Sequence, residues 1–207
     1  MMPARLLILA LLPFAFLLGG CRPSEVAAAP LLPVTDLQEG DLAFRCGQGF
    51  FSHAVTSAEE DPQYSHVGLL VREGDAWMVV HAVPAEPDFA GDFDRVKADS
   101  LTVFFSPGRA VRGCLVHTGL EDSLKLSCLR EWALGLARDS VRFDASFSLA
   151  DSSRLYCTEL VWRLYRRCGT DLSEGRRRNL DVFRIHGECL LPEHLYVYSG
   201  NNVYFKY

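Results

Sequence analysis

The sequence predicts an α+β domain in which helices pack on an antiparallel β-sheet. The first observation is a pair of β-rich apolar runs within residues 64–84, separated by the glycine-centred turn Glu73-Gly74-Asp75, which is the pattern of a β-hairpin. The second is a set of apolar residues at helical spacing in Ser123–Arg138, and the third is a similar stripe that follows Cys157. Because both runs of the hairpin are apolar on each side, the sheet requires cover on both faces.

The remaining elements follow from local composition along the chain. Glycine before apolar residues predicts a turn entering a strand at Gly40–Phe44, and residues 52–58 predict a short helix. Runs of β-branched, aromatic and leucine side chains predict four further strands. These strands are Leu101–Phe105, Ala110–His117, Leu195–Ser199 and a last one at residues 203–207. Residues 174–181, with three consecutive arginines, predict a solvated surface loop.

The N-terminal residues predict export. Residues 1–20 read as a signal peptide, with Arg5 ahead of an apolar run at 6–18 that is too short to span a membrane comfortably. Leu18-Gly19-Gly20-Cys21 then resembles the lipobox of bacterial lipoproteins, in which the cysteine is acylated; an ordinary secretory signal is the alternative. Residues 21–36 predict a linker rich in Pro and Ala, and residues 37–207 a single domain, since this length suits one core.

The lipobox resemblance implies a bacterial cell-envelope protein held to the membrane by lipid on Cys21. Two acyl chains suffice for stable anchoring without a spanning helix. Arg22 stands where Asp would signal inner-membrane retention, which indicates the outer membrane in a Gram-negative source. We expect Cys21→Ser to release the protein from membranes, as measured by fractionation; unchanged membrane association would contradict the anchor.

The net charge and the cysteine spacing argue against nucleic-acid binding and against a structural zinc site. The net charge of −5 provides no basic stripe, so nucleic acid is not expected as a partner. Beyond Cys21 there are six cysteines at irregular spacing and without paired Cys-x-x-Cys motifs, so neither a disulfide pairing nor a structural zinc site follows. No cofactor and no metal is expected, and the oligomeric state is not predicted.

The hairpin places two histidines within reach of each other. If the hairpin loop holds an even number of residues, the residue numbers of two directly opposed positions add up to 147 in one register or to 149 in the other. His66 and His81 then face each other directly in the first register and are diagonal neighbours in the second. A three-residue loop would instead put them on opposite faces.

Cys157 lies in or near the first turn of the predicted helix that follows Ser123–Arg138 in the chain. Leu160, Val161, Leu164 and Cys168 form the apolar stripe, whereas Glu159 lies off it and is expected to face solvent. Capping is expected from residues 151–153. A helix N-terminus and a neighbouring imidazole both favour the thiolate form, which makes Cys157 a candidate nucleophile. The alternative is a small core residue, which is the commoner role of a cysteine in such a stripe.

Four segments of the sequence resemble a known protein family, and this resemblance favours the nucleophile over the core residue as the role of Cys157. "GDLAF", "YSHVGLLV", "VVHA" and "FDASFSLADSSRLYCTELVWRLY", between residues 40 and 165, occur in the order and largely in the wording of the circularly permuted NlpC-type papain-like cysteine hydrolases. The YiiX/YebB-like branch is the most similar. The resemblance implies a permuted papain-like fold with the nucleophile at a helix N-terminus, since the histidine here precedes the cysteine in the chain.

The resemblance also implies roles. Cys157 matches the nucleophile, His66 the general base and His81 the third, orienting residue, where many YiiX-like sequences have an acidic side chain. Tyr64 either lines the cleft and supports the oxyanion or packs in the core. The implied reaction is acyl transfer through a thioester without a metal.

Several alternatives stay open at this point. Zinc bound by His53, His66, His81 and Cys157 is disfavoured because no His-Glu-x-x-His motif occurs. A binding module with an idle thiol is a second alternative. The substrate is a cell-envelope peptide, such as a peptidoglycan fragment, or alternatively a membrane lipid, for which the enzyme would be an acyltransferase or lipid amidase. Fold does not choose between these substrates.

Overall fold

The computed structural model describes residue 32 and residues 35–182, 185–199 and 202–207. The predicted signal peptide and Cys21 lie outside these residues, as does most of the predicted linker. Within the described residues, no helix is long and apolar enough to cross a membrane. The described residues form five helices: α1 (Phe50–Ala58), α2 (Leu101–Phe104), α3 (Ser123–Arg138), α4 (Cys157–Arg167) and α5 (Pro192–Ser199).

In the part of the chain that the structure describes, eight strands form one mostly antiparallel sheet, which confirms the α+β prediction. The strands are β1 (Leu42–Cys46), β2 (His66–Glu73), β3 (Ala76–Val83), β4 (Arg95–Ser100), β5 (Arg112–Val116), β6 (Arg142–Phe143), β7 (Arg154–Leu155) and β10 (Val203–Lys206). Their spatial order is β10-β5-β1-β2-β3-β4-β6-β7, and only the short β6–β7 pair is parallel. A separate hairpin pairs β8 (Arg178–Val182) with β9 (Ile185–Cys189), so part of the loop predicted at residues 174–181 is strand.

The central hairpin adopts the second of the two predicted registers. Glu73 pairs with Ala76 across a two-residue turn, and Gly74 takes a φ of +60°, which glycine adopts without the steric cost of a Cβ. His66 and His81 are therefore diagonal neighbours on one face of the sheet.

Both faces of the sheet are covered, as their apolar pattern predicts. On one face, Val67 and Leu69 belong to the same core cluster as Leu160 and Leu164 of α4, together with residues of α3. On the other face, Leu70 packs in a smaller cluster with residues of α2. The sheet is thus a buried middle layer, with the helix that carries Cys157 on one side only.

Two predicted strands are helices. Leu101–Phe105 corresponds to α2, whose first turn is fixed because the Ser100 hydroxyl accepts a hydrogen bond from the Val103 amide. Leu195–Ser199 lies in α5, which opens at Pro192, a residue suited to the first helical position. The Ser100 cap in α2 and the opening proline of α5 are local helix-start features that outweigh the β-preference of the side chains.

The predicted cap of α4 is also wrong. The N-cap residue is Tyr156, whose side chain makes no capping hydrogen bond. Asp151 instead accepts hydrogen bonds from the amide and hydroxyl of Ser153, and the chain then forms β7 before the helix begins. The helix starts at Cys157 because strand pairing holds the preceding residues extended.

Candidate active site

Cys157 is the first residue of α4 and is 5 % exposed. The preceding residue, Tyr156, has extended backbone angles (φ −100°, ψ 170°), so the chain enters the helix abruptly at the cysteine. The hydroxyl of Tyr156 accepts a 2.9 Å hydrogen bond from the backbone N–H of Leu190. The apolar stripe of α4 is buried against β2, and this packing fixes where the first turn lies.

One pocket of about 300 Å³ contains both Cys157 and His66. Its walls come from the start of β2, the end of β3, α1 and the loops near residues 47–49, 108–109 and 143–147. One part is aromatic and aliphatic, formed by Phe50, Phe51, Val55, Val83, Phe143 and Phe147. Another part carries charge, from Arg45, Glu86 and Arg109.

The thiol of Cys157 is protonated at neutral pH in this structure. Burial raises its pKa to about 11, although the backbone N–H groups of Val67 and Thr158 lie against the sulfur and favour the thiolate. The helix N-terminus therefore supplies the expected stabilisation of negative charge, but desolvation is the larger effect. Cys157 rests as a neutral thiol rather than as a thiolate.

His66 and His81 are joined by a hydrogen bond. His66 Nε2 lies 2.8 Å from His81 Nδ1, with the ring planes 77° apart. Burial, followed by the charge of Arg45, holds the pKa of His66 well below its usual value. Burial likewise lowers the pKa of His81 to about 4, against the opposing effect of the hydrogen bond that His81 donates to Asp99. Both imidazoles are consequently neutral near pH 7.

Asp99 continues the hydrogen-bond chain from His66 through His81. The sequence did not predict this residue as part of the site. Its Oδ2 lies 3.2 Å from His81 Nε2, and the same oxygen accepts a 2.5 Å hydrogen bond from Arg109 Nη1. Asp99 projects from β4, which pairs with β3. The signal available in the sequence was the alternation of apolar Val96 and Ala98 with polar side chains, a period-2 pattern typical of a strand.

His66 and the thiol of Cys157 line the same pocket although the histidine pair and α4 lie on opposite faces of the sheet. Val67 faces α4, so the alternation of side chains places His66 and His81 on the opposite face, where both rings contact Phe104. His66 still reaches the pocket of Cys157 because it is the first residue of β2. Among the described residues, no hydrogen bond joins the Cys157 sulfur to His66, so the two groups share a pocket without direct bonding.

Gly68 creates the space for His81 on this face. Continuing the hairpin register pairs Gly68 with His81. A Cβ at Gly68 would lie 2.3 Å from Val79 Cγ1 and 3.1 Å from His81 Cβ, which is too close without a shift of the neighbouring strand. The glycine in the "SHVGL" segment therefore has a packing role next to the histidine pair.

Tyr64 and Glu159 lie outside the pocket lining. Tyr64 is 2 % exposed and packs against Phe44 and Tyr196, with ring centroids 5.7 and 5.2 Å away, which is the core position left open by the sequence. Glu159 is fully buried rather than solvated, and its carboxylate accepts a 2.7 Å hydrogen bond from Arg163. Burial raises the pKa of Glu159 to about 7, although Arg163 opposes the shift.

The fold has a relative among solved structures. No protein-family model and no curated protein matches the sequence. The structure is similar to the crystal structure of metalloprotein yiiX from Escherichia coli O157:H7, with a TM-score of 0.62 and 20 % sequence identity. The match covers 82 % of this chain and 96 % of that chain. At this identity the similarity concerns the fold, and at that level it supports the expected YiiX-like relationship.

The donor groups of this site do not fit a metal ion. A zinc site brings three or four histidine, cysteine or carboxylate donors together. No such group of three occurs in the part of the chain that the structure describes. His66 Nε2 and His81 Nδ1 bond each other, His81 Nε2 faces Asp99, and His53 is exposed on α1. The chemistry below therefore uses only side chains and backbone of this chain.

Proposed function

We propose that this protein is a cysteine hydrolase of the circularly permuted papain-like type, which cleaves an amide or ester bond through a thioester on Cys157. The observation that carries the proposal is the shared pocket of Cys157, at a helix start, and His66, at a strand start. His66 Nε2 is engaged by His81, so Nδ1 is the nitrogen left to accept the thiol proton. His81 serves as the third, orienting residue.

The acylation step begins with proton transfer from Cys157 Sγ to His66 Nδ1 as the sulfur attacks the substrate carbonyl carbon. The carbonyl oxygen becomes an oxyanion, and backbone N–H groups at the start of α4 stabilise it, because the first N–H groups of a helix lack intrahelical acceptors. The intermediate then expels the amine or alcohol, which leaves with the proton from His66. The product of this half-reaction is a neutral thioester on Cys157.

Deacylation repeats the proton transfer with water. His66 Nδ1 accepts a proton from water while the water oxygen attacks the thioester carbon, and the carboxylic acid leaves as Cys157 regains its proton. Because the resting pair is neutral and not hydrogen-bonded, the thiol and imidazole must approach when substrate fills the pocket. Such tightening on substrate binding is common where catalytic contacts are long in the free enzyme.

The pocket wall favours an apolar acyl group. Phe51, Val55, Phe143 and Phe147 line the pocket that contains Cys157, and such a wall suits an aliphatic or aromatic acyl chain better than a charged peptide. We accordingly place the lipid amide or ester alternative beside the cell-envelope peptide as a substrate class. Anchoring through a lipid on Cys21 in the bacterial envelope, a further part of the proposal, would present the pocket to either substrate.

The test is formation of an acyl-enzyme. Purified protein is incubated with p-nitrophenyl esters of butyrate and octanoate, and intact and peptide masses are recorded. We expect the acyl mass on the Cys157 peptide of wild type and none on that peptide in His66→Ala. A binding module with an idle thiol would show no selective, His66-dependent acylation, and this result would overturn the proposed function.

A further inference from the structure

We propose that Asp99 is a positioning residue that sets the tautomer of the histidine pair, so that His66 presents an unprotonated Nδ1 to Cys157. This inference rests on the proposed function of Cys157 and His66. Its observation is the continuous chain from His66 through His81 to Asp99, with heavy-atom distances of 2.8 and 3.2 Å.

The proton positions in the hydrogen-bond chain from His66 to Asp99 can be assigned by starting from the carboxylate of Asp99. An ionised carboxylate only accepts hydrogen bonds, so His81 must carry its proton on Nε2 and donate it to Asp99. His81 Nδ1 is then an acceptor, and His66 must donate from Nε2. The lone pair of His66 is therefore left on Nδ1, the nitrogen required for a general base.

The surroundings keep Asp99 ionised although it is only 8 % exposed. Burial alone would raise its pKa, but the hydrogen bond from His81 and the positive charges of Lys97 and Arg109 outweigh it, so the pKa is lowered. Lys97 Nζ is 3.4 Å from Asp99 Oδ2. Arg109 bonds the same oxygen and also contacts Glu86, at 3.3 Å.

The charged groups around the rings do not provide a substitute acceptor. The cations Arg45 and Lys97 lower the pKa of both histidines. The other nearby carboxylates are held by cations: Glu86 pairs with Arg45 and Arg109, and Asp88 lies 2.7 Å from Lys97. Among the described residues, Asp99 is thus the carboxylate that contacts the histidine pair, through the ring of His81.

Removal of the carboxylate should reverse the hydrogen-bond chain, whereas an amide would not, because its oxygen would still accept from both Arg109 and His81. In Asp99→Ala, His81 Nε2 loses its acceptor, and the donors Lys97 and Arg109 that contacted the carboxylate favour an unprotonated Nε2, which moves the His81 proton to Nδ1. His66 Nε2 then becomes the acceptor, and His66 Nδ1 carries a proton towards the thiol. By analogy with the carboxylate of serine-protease triads, we expect a loss in kcat/KM of about 10³-fold or more at pH 7.

The expected loss should shrink at alkaline pH, because a thiolate formed by solution base no longer needs His66. This pH dependence separates a tautomer effect from simple structural damage, which high pH would not repair. The matched control is Asp88→Ala, which removes a carboxylate from Lys97 and Arg95 but not from His81. Asp88→Ala should keep kcat/KM within about twofold of wild type.

The direct readout is ¹⁵N NMR of histidine-labelled protein at neutral pH. We expect wild type and Asp88→Ala to carry the proton on Nε2 of both His66 and His81, and Asp99→Ala to carry it on Nδ1. A wild-type His66 protonated on Nδ1 would overturn the inference without any variant, even if Asp99→Ala fails to fold. An Asp99→Ala variant with unchanged tautomers would overturn it as well. Full activity of Cys157→Ala would instead refute the proposed function and leave the tautomer result standing.

Discussion

Turnover of an activated acyl ester is expected to vanish in Cys157→Ala and to fall by at least about 10⁴-fold in His66→Ala. Removal of the sulfur eliminates the thioester, and the pocket then has no other nucleophile at the start of α4. Removal of the imidazole leaves a thiol whose pKa is raised to about 11 by burial, so only a minute fraction is reactive at pH 7. Initial rates with p-nitrophenyl butyrate measure both effects.

The chain provides matched controls for each substitution. Cys168 is a second buried cysteine, located at the opposite end of α4, and His53 is an exposed histidine on α1. Cys168→Ala and His53→Ala should therefore retain turnover within about twofold. Circular dichroism should show folded protein for all four variants. Folded Cys157→Ala with wild-type rates would end the case for a thioester enzyme.

The sequence allowed the central part of the site to be located because local signals coincide there. The turn at Gly74 fixes an even loop, and an even loop puts His66 and His81 on one face whichever of two registers is adopted. The spacing of Leu160 and Leu164 likewise places Cys157 near a helix start. These are short-range properties, for which periodicity and turn chemistry suffice.

The parts that escaped prediction depend on contacts distant in sequence or on competing local hydrogen bonds. Asp99 meets His81 only because β4 pairs with β3, and its strand has a weak alternating pattern. The helix α2 forms where leucine, valine and phenylalanine suggest a strand, because the Ser100 side chain caps it. The raised pKa of the Cys157 thiol could not be predicted, because its position at a helix N-terminus is visible in the sequence, whereas burial of the sulfur is not.

Burial of the Cys157 sulfur also decides the protonation state of the resting protein. An ion pair requires the imidazole to hold a proton more tightly than the thiol does. Here burial raises the pKa of Cys157 to about 11 and holds that of His66 well below 6.5. The neutral pair is consequently favoured over the ion pair.

Alkylation of Cys157 by iodoacetamide is therefore expected to rise about tenfold per pH unit from pH 6 to pH 10, since the thiolate is the reactive species. An imidazolium–thiolate pair would instead give a rate that is already high and flat between pH 5 and pH 8. Peptide-resolved mass spectrometry distinguishes Cys157 from the partly exposed Cys128, which provides an internal reference for reagent reactivity. His66→Ala should show the same steep rise, because a neutral imidazole adds no thiolate. A plateau in wild type that disappears in His66→Ala would mean that substrate-free protein already holds the ion pair, and that the pocket admits enough water to overcome the burial of the sulfur.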